Sequence, residues 1–222
     1  MPETWDDALD GMGAVYVVRP ELQPADVLEG FVQRAVSRGA ERLVFLSARA
    51  GGDMDRPRER IIQDSGAAWT ILRPTWYFQN FSEGQFSADV RAGELRLPAG
   101  SGREAFVDTE DIAEVAAAAL TEPGHDGQIY ALSGPRALSF EEAMRVIAEV
   151  SGRPVRYREI PSDEYVRLLV DEGETDRFAN LQAKLMAWIS ENEGAYLSDG
   201  VQRALGREPR SFEDYAKRTT WA

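Results

Sequence analysis

Arg42-Leu43-Val44-Phe45-Leu46-Ser47 and Ala68-Trp69-Thr70-Ile71-Leu72-Arg73-Pro74 are short, β-rich apolar runs, the second halted by its Arg-Pro. Apolar runs of this length without polar alternation are strands buried on both faces. Between them Arg56 to Asp64 reads as a helix, stopped by Ser65-Gly66. Strand, helix, strand at this spacing is a βαβ unit, whose two strands run parallel.

Working outward, Ala14 to Val18 is an earlier buried strand ending at Arg19-Pro20. Ala25 to Arg38 follows with apolar residues at helical spacing, closed by Gly39. Downstream, Asp108 or Thr109 caps a helix to Thr121, and Gln128 to Leu132 adds a strand, giving about four major strands. From Ser139 the character changes. Ser139-Phe140-Glu141-Glu142 is a capping box opening a helix to Val150. Val155 to Arg158 reads as a short strand. Helical segments follow near Ser162 to Asp171, Asp176 to Glu191, Ser198 to Leu205 and Ser211 to Thr219. The expected architecture is α/β, a parallel sheet over residues 1–138 with a mostly helical lobe over residues 139–222 packed on it.

Composition narrows the function. A chain of 222 residues with 43% hydrophobic and 28% charged content is ordinary globular protein. A net charge of −13 argues against a nucleic-acid partner, since phosphate binding needs a basic surface. With no cysteine and a single histidine, His125, there is neither a disulfide nor a transition-metal ligand set. No apolar run approaches the roughly 20 residues of a membrane span, and no signal peptide is visible, so the expected location is cytoplasmic.

Four stretches carry a resemblance: Leu43 to Ala48; Ser65-Gly66 through Thr70-Ile71-Leu72-Arg73-Pro74-Thr75-Trp76; Asn80 to Gly84; and Phe106-Val107-Asp108-Thr109-Glu110-Asp111-Ile112-Ala113. With Leu132 to Pro135 and Gly206 to Phe212, they resemble NmrA-like atypical short-chain dehydrogenases/reductases. The resemblance is especially to the agroclavine/festuclavine dehydrogenase-like branch. The resemblance implies a Rossmann-like fold, NADP or NAD as cofactor, and reduction of a small organic substrate, an imine or iminium, quinone or carbonyl. NmrA-like regulators imply an alternative, a cofactor-independent or non-redox protein that binds a metabolite or partner.

Such proteins ordinarily open with a strand and a Gly-x-x-Gly-x-x-Gly turn, whose glycines let backbone N–H groups approach the pyrophosphate. Neither Gly51-Gly52 nor Gly100-Ser101-Gly102 has that spacing. By the resemblance, Met1 to Leu9 corresponds to the helix before the family's fourth strand, so about the first 60 residues of the pattern, judged from βαβ unit size, have no counterpart. Cofactor binding is therefore expected to be impaired, and Ala14 to Val18 is expected to present an open edge. A longer protein, a remodelled N-terminus, or a homodimer or partner chain would cover it.

The resemblance assigns Ser47 as a catalytic candidate that hydrogen-bonds a reacting carbonyl; a strand-end serine satisfying local backbone is the alternative. It assigns Val18, Arg19, Pro20, Ser47, Arg73 and Pro74 to the cofactor, although Arg19 reads equally as a surface residue. Thr75, Trp76, Phe78 and Asn80 are assigned to the substrate, with core packing the rival reading for Trp76 and Phe78. The Tyr-x-x-x-Lys proton-donor pair of typical short-chain dehydrogenases is missing, because no tyrosine lies between Ser47 and Tyr77 and no lysine precedes Lys184. An iminium carbon accepts hydride without protonation of oxygen and tolerates that loss. Arg58, Glu59 and Arg60 stand where the pair would be and read as a solvated charged helix face. Asp108 and Asp111 read as a helix cap and a dipole-complementing acid.

Overall fold

The computed structural model describes residues 4–18, 25–50 and 52–221, apart from the side chains of residues 53 and 54. In chain order the elements are α1 (Trp5–Leu9), β1 (Ala14–Val17), α2 (Ala25–Ser37), β2 (Arg42–Leu46), α3 (Gly52–Gln63), β3 (Ala68–Pro74) and a 3-10 helix (Phe78–Phe81). Then come α4 (Ser87–Ala92), β4 (Glu94–Leu97), β5 (Arg103–Glu104), α5 (Thr109–Thr121), β6 (Gln128–Leu132), β7 (Leu138–Ser139) and α6 (Phe140–Ser151). The remainder is β8 (Arg156–Glu159), α7 (Ser162–Asp171), α8 (Asp176–Ser190), α9 (Gly200–Leu205) and α10 (Phe212–Arg218). Two compact units divide these elements between them.

The first unit comprises Met1–Pro74, Glu110–Leu132 and Asp199–Glu208. Its sheet has the order β1-β2-β3-β6 with every neighbouring pair parallel, the α/β Rossmann-like arrangement expected. Leu43, Val44 and Phe45 of β2 are all fully buried, which is why that strand carries no polar alternation. On β1 alternation matters. Val17, with Val15 packed beside it, joins Leu28, Val32 and Ala35 of α2 and Ile62 of α3 in one core, whereas Tyr16 is 37% and Val18 58% exposed. Among the described residues no strand pairs with the outer edge of β1. At the far end of the sheet α9 lies against β6. A Cβ on Gly200 would sit 2.1 Å from the Ala131 carbonyl oxygen, so only glycine allows this approach. Arg42 on β2 donates to the carbonyls of Ala119 and Glu122 at the end of α5, satisfying acceptors that a helix C-terminus leaves open.

Helix α3 begins at Gly52 rather than at Arg56, with Pro57 inside it. Proline already holds the helical φ, so the helix passes through at the loss of one backbone hydrogen bond.

The second unit comprises Thr75–Thr109, Ser133–Ser198 and Pro209–Ala222. Beside its helices it holds two small sheets, β4 with β8 in parallel and β5 with β7 antiparallel. β8 is the short strand expected near Val155. Its partner β4 has four residues, too few for a sequence signal, and is fixed by Leu95 and Leu97 pointing inward. Phenylalanine dominates the core. Phe81, fully buried, meets the rings of Phe86, Phe106, Phe140 and Phe212 with centroids 5.3 to 6.0 Å apart, in tilted and edge-on geometries that aromatic quadrupoles favour. The capping box at α6 is present, with Ser139 accepting from the Glu142 N–H while the Glu142 carboxylate accepts from the Ser139 N–H. The Arg103 guanidinium also grips Glu142, at 2.9 and 2.6 Å.

Phe81→Ala removes a ring from the centre of this cluster and is expected to lower stability by about 3–5 kcal/mol. Urea unfolding followed by tryptophan fluorescence measures it.

Candidate functional site

The C-terminal ends of β2 and β3 place Ser47 and Arg73 side by side, and helix α3 brings Glu59 to both. Ser47 is 6% exposed and its hydroxyl donates to Glu59 Oε1 at 2.6 Å. Arg73 grips the same carboxylate with a two-pronged fork, Nε to Oε1 at 2.9 Å and Nη2 to Oε2 at 2.5 Å. Arg56, one helical turn before Glu59, adds Nη1 at 2.8 and 3.0 Å from the two oxygens. Glu59 itself is 2% exposed. The expectation of a solvated charged face at Arg58-Glu59-Arg60 is therefore overturned at Glu59. Helical spacing puts Asp55, Glu59 and Ile62 on one inward face, all buried, and the buried charge persists because two arginines match it. Ile62, three residues after Glu59, was the available signal; the flanking arginines hid it.

Burial pushes the Glu59 carboxyl up, but the hydrogen bonds from Arg73, Ser47 and Arg56 outweigh it, and the group stands below the usual carboxylate range. Glu59 is thus an ionised acceptor and no proton donor. Five of the seven tyrosines offer no replacement. Burial pushes up Tyr16, Tyr130, Tyr157, Tyr165 and Tyr215, Tyr157 to about 12, so none of these five is lowered toward neutrality as a general acid requires.

The other candidates fall in different places. Val18 follows β1 and is exposed; Pro74 ends β3, and its carbonyl accepts from the Arg49 N–H at 3.0 Å. Arg19 and Pro20 lie outside the described residues. In the second unit, Thr75 is 8% exposed and its hydroxyl donates to the Ala105 carbonyl at 2.7 Å. Trp76, partly buried, stacks on Phe86 with centroids 5.7 Å apart. Phe78 is 1% exposed and packs against Phe212 and Tyr215, the core role weighed for it from sequence. Asn80 lies in the 3-10 helix, so close to Gly84 that a Cβ there would stand 2.9 Å from its Cα.

Asp108 and Asp111 are fully buried and ion-paired, the former to Arg218 with Gln79 donating at 2.8 Å, the latter to Arg207. The buried imidazole of His125 hydrogen-bonds the Tyr130 hydroxyl through Nδ1 at 2.9 Å. Among the described residues no cluster of three metal-ligating side chains exists, and no helix is long and apolar enough to cross a membrane.

Toward a nicotinamide dinucleotide this arrangement is one-sided. Open parallel sheets take ligands at the C-terminal ends of their strands, where Ser47 and Arg73 present the polar groups that would meet a nicotinamide ring. The 222 residues hold no three-glycine turn for a pyrophosphate. The fold and this edge define a Rossmann-like α/β protein. Residues 58–218 match the NmrA-like family, and the chain belongs to it.

Curated relatives include prestalk A differentiation protein A of Dictyostelium discoideum, 31% identical over 98% of this chain and 73% of that protein. NAD(P)H azoreductase of Xenophilus azovorans is 32% identical over 97% of this chain and 78% of its own length. Agroclavine dehydrogenase of Claviceps fusiformis is 29% identical over 95% and 75%. Among solved structures, the NADPH-dependent quinone oxidoreductase of Escherichia coli in complex with NADPH superposes with a TM-score of 0.82. At 22% identity it covers 97% of this chain and 79% of that one, a likeness of fold.

A folded-state pKa held below the unfolded value stabilises at pH above the ordinary carboxylate range and is lost as pH falls through the lowered pKa. Glu59 therefore makes the wild type lose stability on acidification, and Glu59→Gln is expected to flatten that slope. Urea midpoints measured from pH 7 down to pH 3 test it.

Proposed function

We propose that the chain is an NAD(P)H-dependent oxidoreductase of the NmrA-like family that reduces a small organic acceptor. The observation carrying this reading is the Ser47–Glu59–Arg73 cluster at the ligand-binding edge of a parallel sheet, in a chain whose relatives include named reductases. When bound, NAD(P)H supplies a hydride. Ser47, Arg73 and Pro74, with Val18, Arg19 and Pro20, are assigned to the nicotinamide side. Thr75, Trp76 and Asn80 are assigned to the acceptor by family resemblance, while Phe78, 1% exposed, stays with the core.

The acceptor class that suits these residues is one needing no protonation on oxygen. An iminium carbon gains the hydride while its π electrons settle on nitrogen, so charge is neutralised and no acid is required. That agrees with a Glu59 held ionised and with tyrosines pushed up by burial. The agroclavine dehydrogenase-like branch is the finer assignment.

A second reading rests on the outer edge of β1, with which no strand pairs among the described residues. It is a protein that binds a metabolite or a partner without redox chemistry, with a homodimer or partner chain on the open edge of β1.

The two are separated by titrating the purified chain with NADPH and NADH, then following dihydronicotinamide consumption with iminium, quinone and azo acceptors. The expected outcome is millimolar rather than micromolar cofactor binding, with consumption that depends on the acceptor. No consumption with any of the three classes would overturn the oxidoreductase reading.

A further inference from the structure

We infer that Ser47 acts as a hydrogen-bond acceptor for an N–H of its ligand, the primary carboxamide of a nicotinamide ring, and that Glu59 is the positioning residue that fixes this polarity. The inference rests on the oxidoreductase reading above and deepens it.

A serine hydroxyl has one proton and two lone pairs. The Ser47 proton lies on Glu59 Oε1 at 2.6 Å, an O–H···O⁻ bond of the short, charge-assisted kind. A neutral carbonyl oxygen competes poorly with a carboxylate for that proton. The carboxylate cannot turn away, because Arg73 holds both its oxygens and Arg56 bridges them. It also sits on the inward face of α3 beside fully buried Ile62. With donor and carboxylate both committed, Ser47 retains only lone pairs for a ligand. A ligand carbonyl or a developing oxyanion would meet those lone pairs and be repelled; an amide N–H would be matched. The role expected from sequence, donation to a reacting carbonyl, is thereby reversed.

Arginines account for the arrangement's persistence and not for its polarity. Were Ser47 absent, Glu59 would still be matched by Arg73 and Arg56, so the hydroxyl is not required to satisfy the carboxylate. Ser47 is held at the end of β2 with 6% of its surface exposed.

The test compares two reduced cofactors, NADPH and its 3-acetylpyridine analogue, in which a methyl group replaces the carboxamide NH₂ and removes the donor alone. Calorimetric titration of the full chain should show NADPH bound about tenfold more tightly, the worth of one hydrogen bond to a charge-supported acceptor. Ser47→Ala should abolish the preference and Ser47→Thr, which restores a hydroxyl, should recover it. Glu59→Gln frees the Ser47 proton and should shrink the preference or invert it. Ser47→Ala leaves the Glu59 ion pairs in place and keeps the test usable if Glu59→Gln fails to fold. Equal affinity of the wild type for the two cofactors, or a preference that survives Ser47→Ala, would overturn the inference while leaving the oxidoreductase reading intact. Binding of neither would overturn the inference, and only together with no dihydronicotinamide consumption would it overturn the oxidoreductase reading as well.

Discussion

A carboxylate taken out of water either becomes neutral or must be matched by positive charge and hydrogen bonds, and Glu59 is matched. Its five donor contacts come from the end of β2, the end of β3 and its own helix. That one group therefore ties strand, helix and strand together at the edge of the sheet where parallel α/β folds bind ligands. Removing it would leave the buried parts of Arg73 facing no countercharge. Removing Arg73 would leave the carboxylate with one arginine that is itself partly exposed.

The same constraint shapes the chemistry. An ionised, fully engaged Glu59 cannot donate a proton, and, as we propose, it leaves the neighbouring serine only lone pairs for a ligand. Tyr16, Tyr130, Tyr157, Tyr165 and Tyr215, with pKa values raised by desolvation, supply no substitute. In the proposed reaction the protein's own residues orient and neutralise rather than move protons. An acceptor that takes hydride directly fits that division of labour.

The second unit shows a different organisation. Its phenylalanine cluster carries no charge and no polar handle, and its rings pack edge to face with Phe81 at the centre. Phe78 belongs to that cluster and Trp76 stacks on its rim, so the aromatic run after Arg73-Pro74 supports the core it enters. Charged pairs such as Arg103 with Glu142 and Arg218 with Asp108 lock strand and helix ends around it.

Sequence alone determined the parallel strands and their order along the chain, since apolar runs bounded by Arg-Pro, Ser-Gly and Gly signals are local properties. It also determined the capping box at Ser139 and the absence of thiols, because short spacing and composition suffice for them. It marked Ser47 and Arg73 as edge residues, but could not say what they face. That Glu59 is buried, that it joins Ser47 to Arg73 and Arg56, and that β4 pairs with β8 were decided only by tertiary structure. Arg73 is far from Glu59 along the chain, as β4 is from β8. Such pairings are set by how strands and helices pack, and a charged residue flanked by arginines looks the same in sequence whether its helix turns it to water or to the sheet.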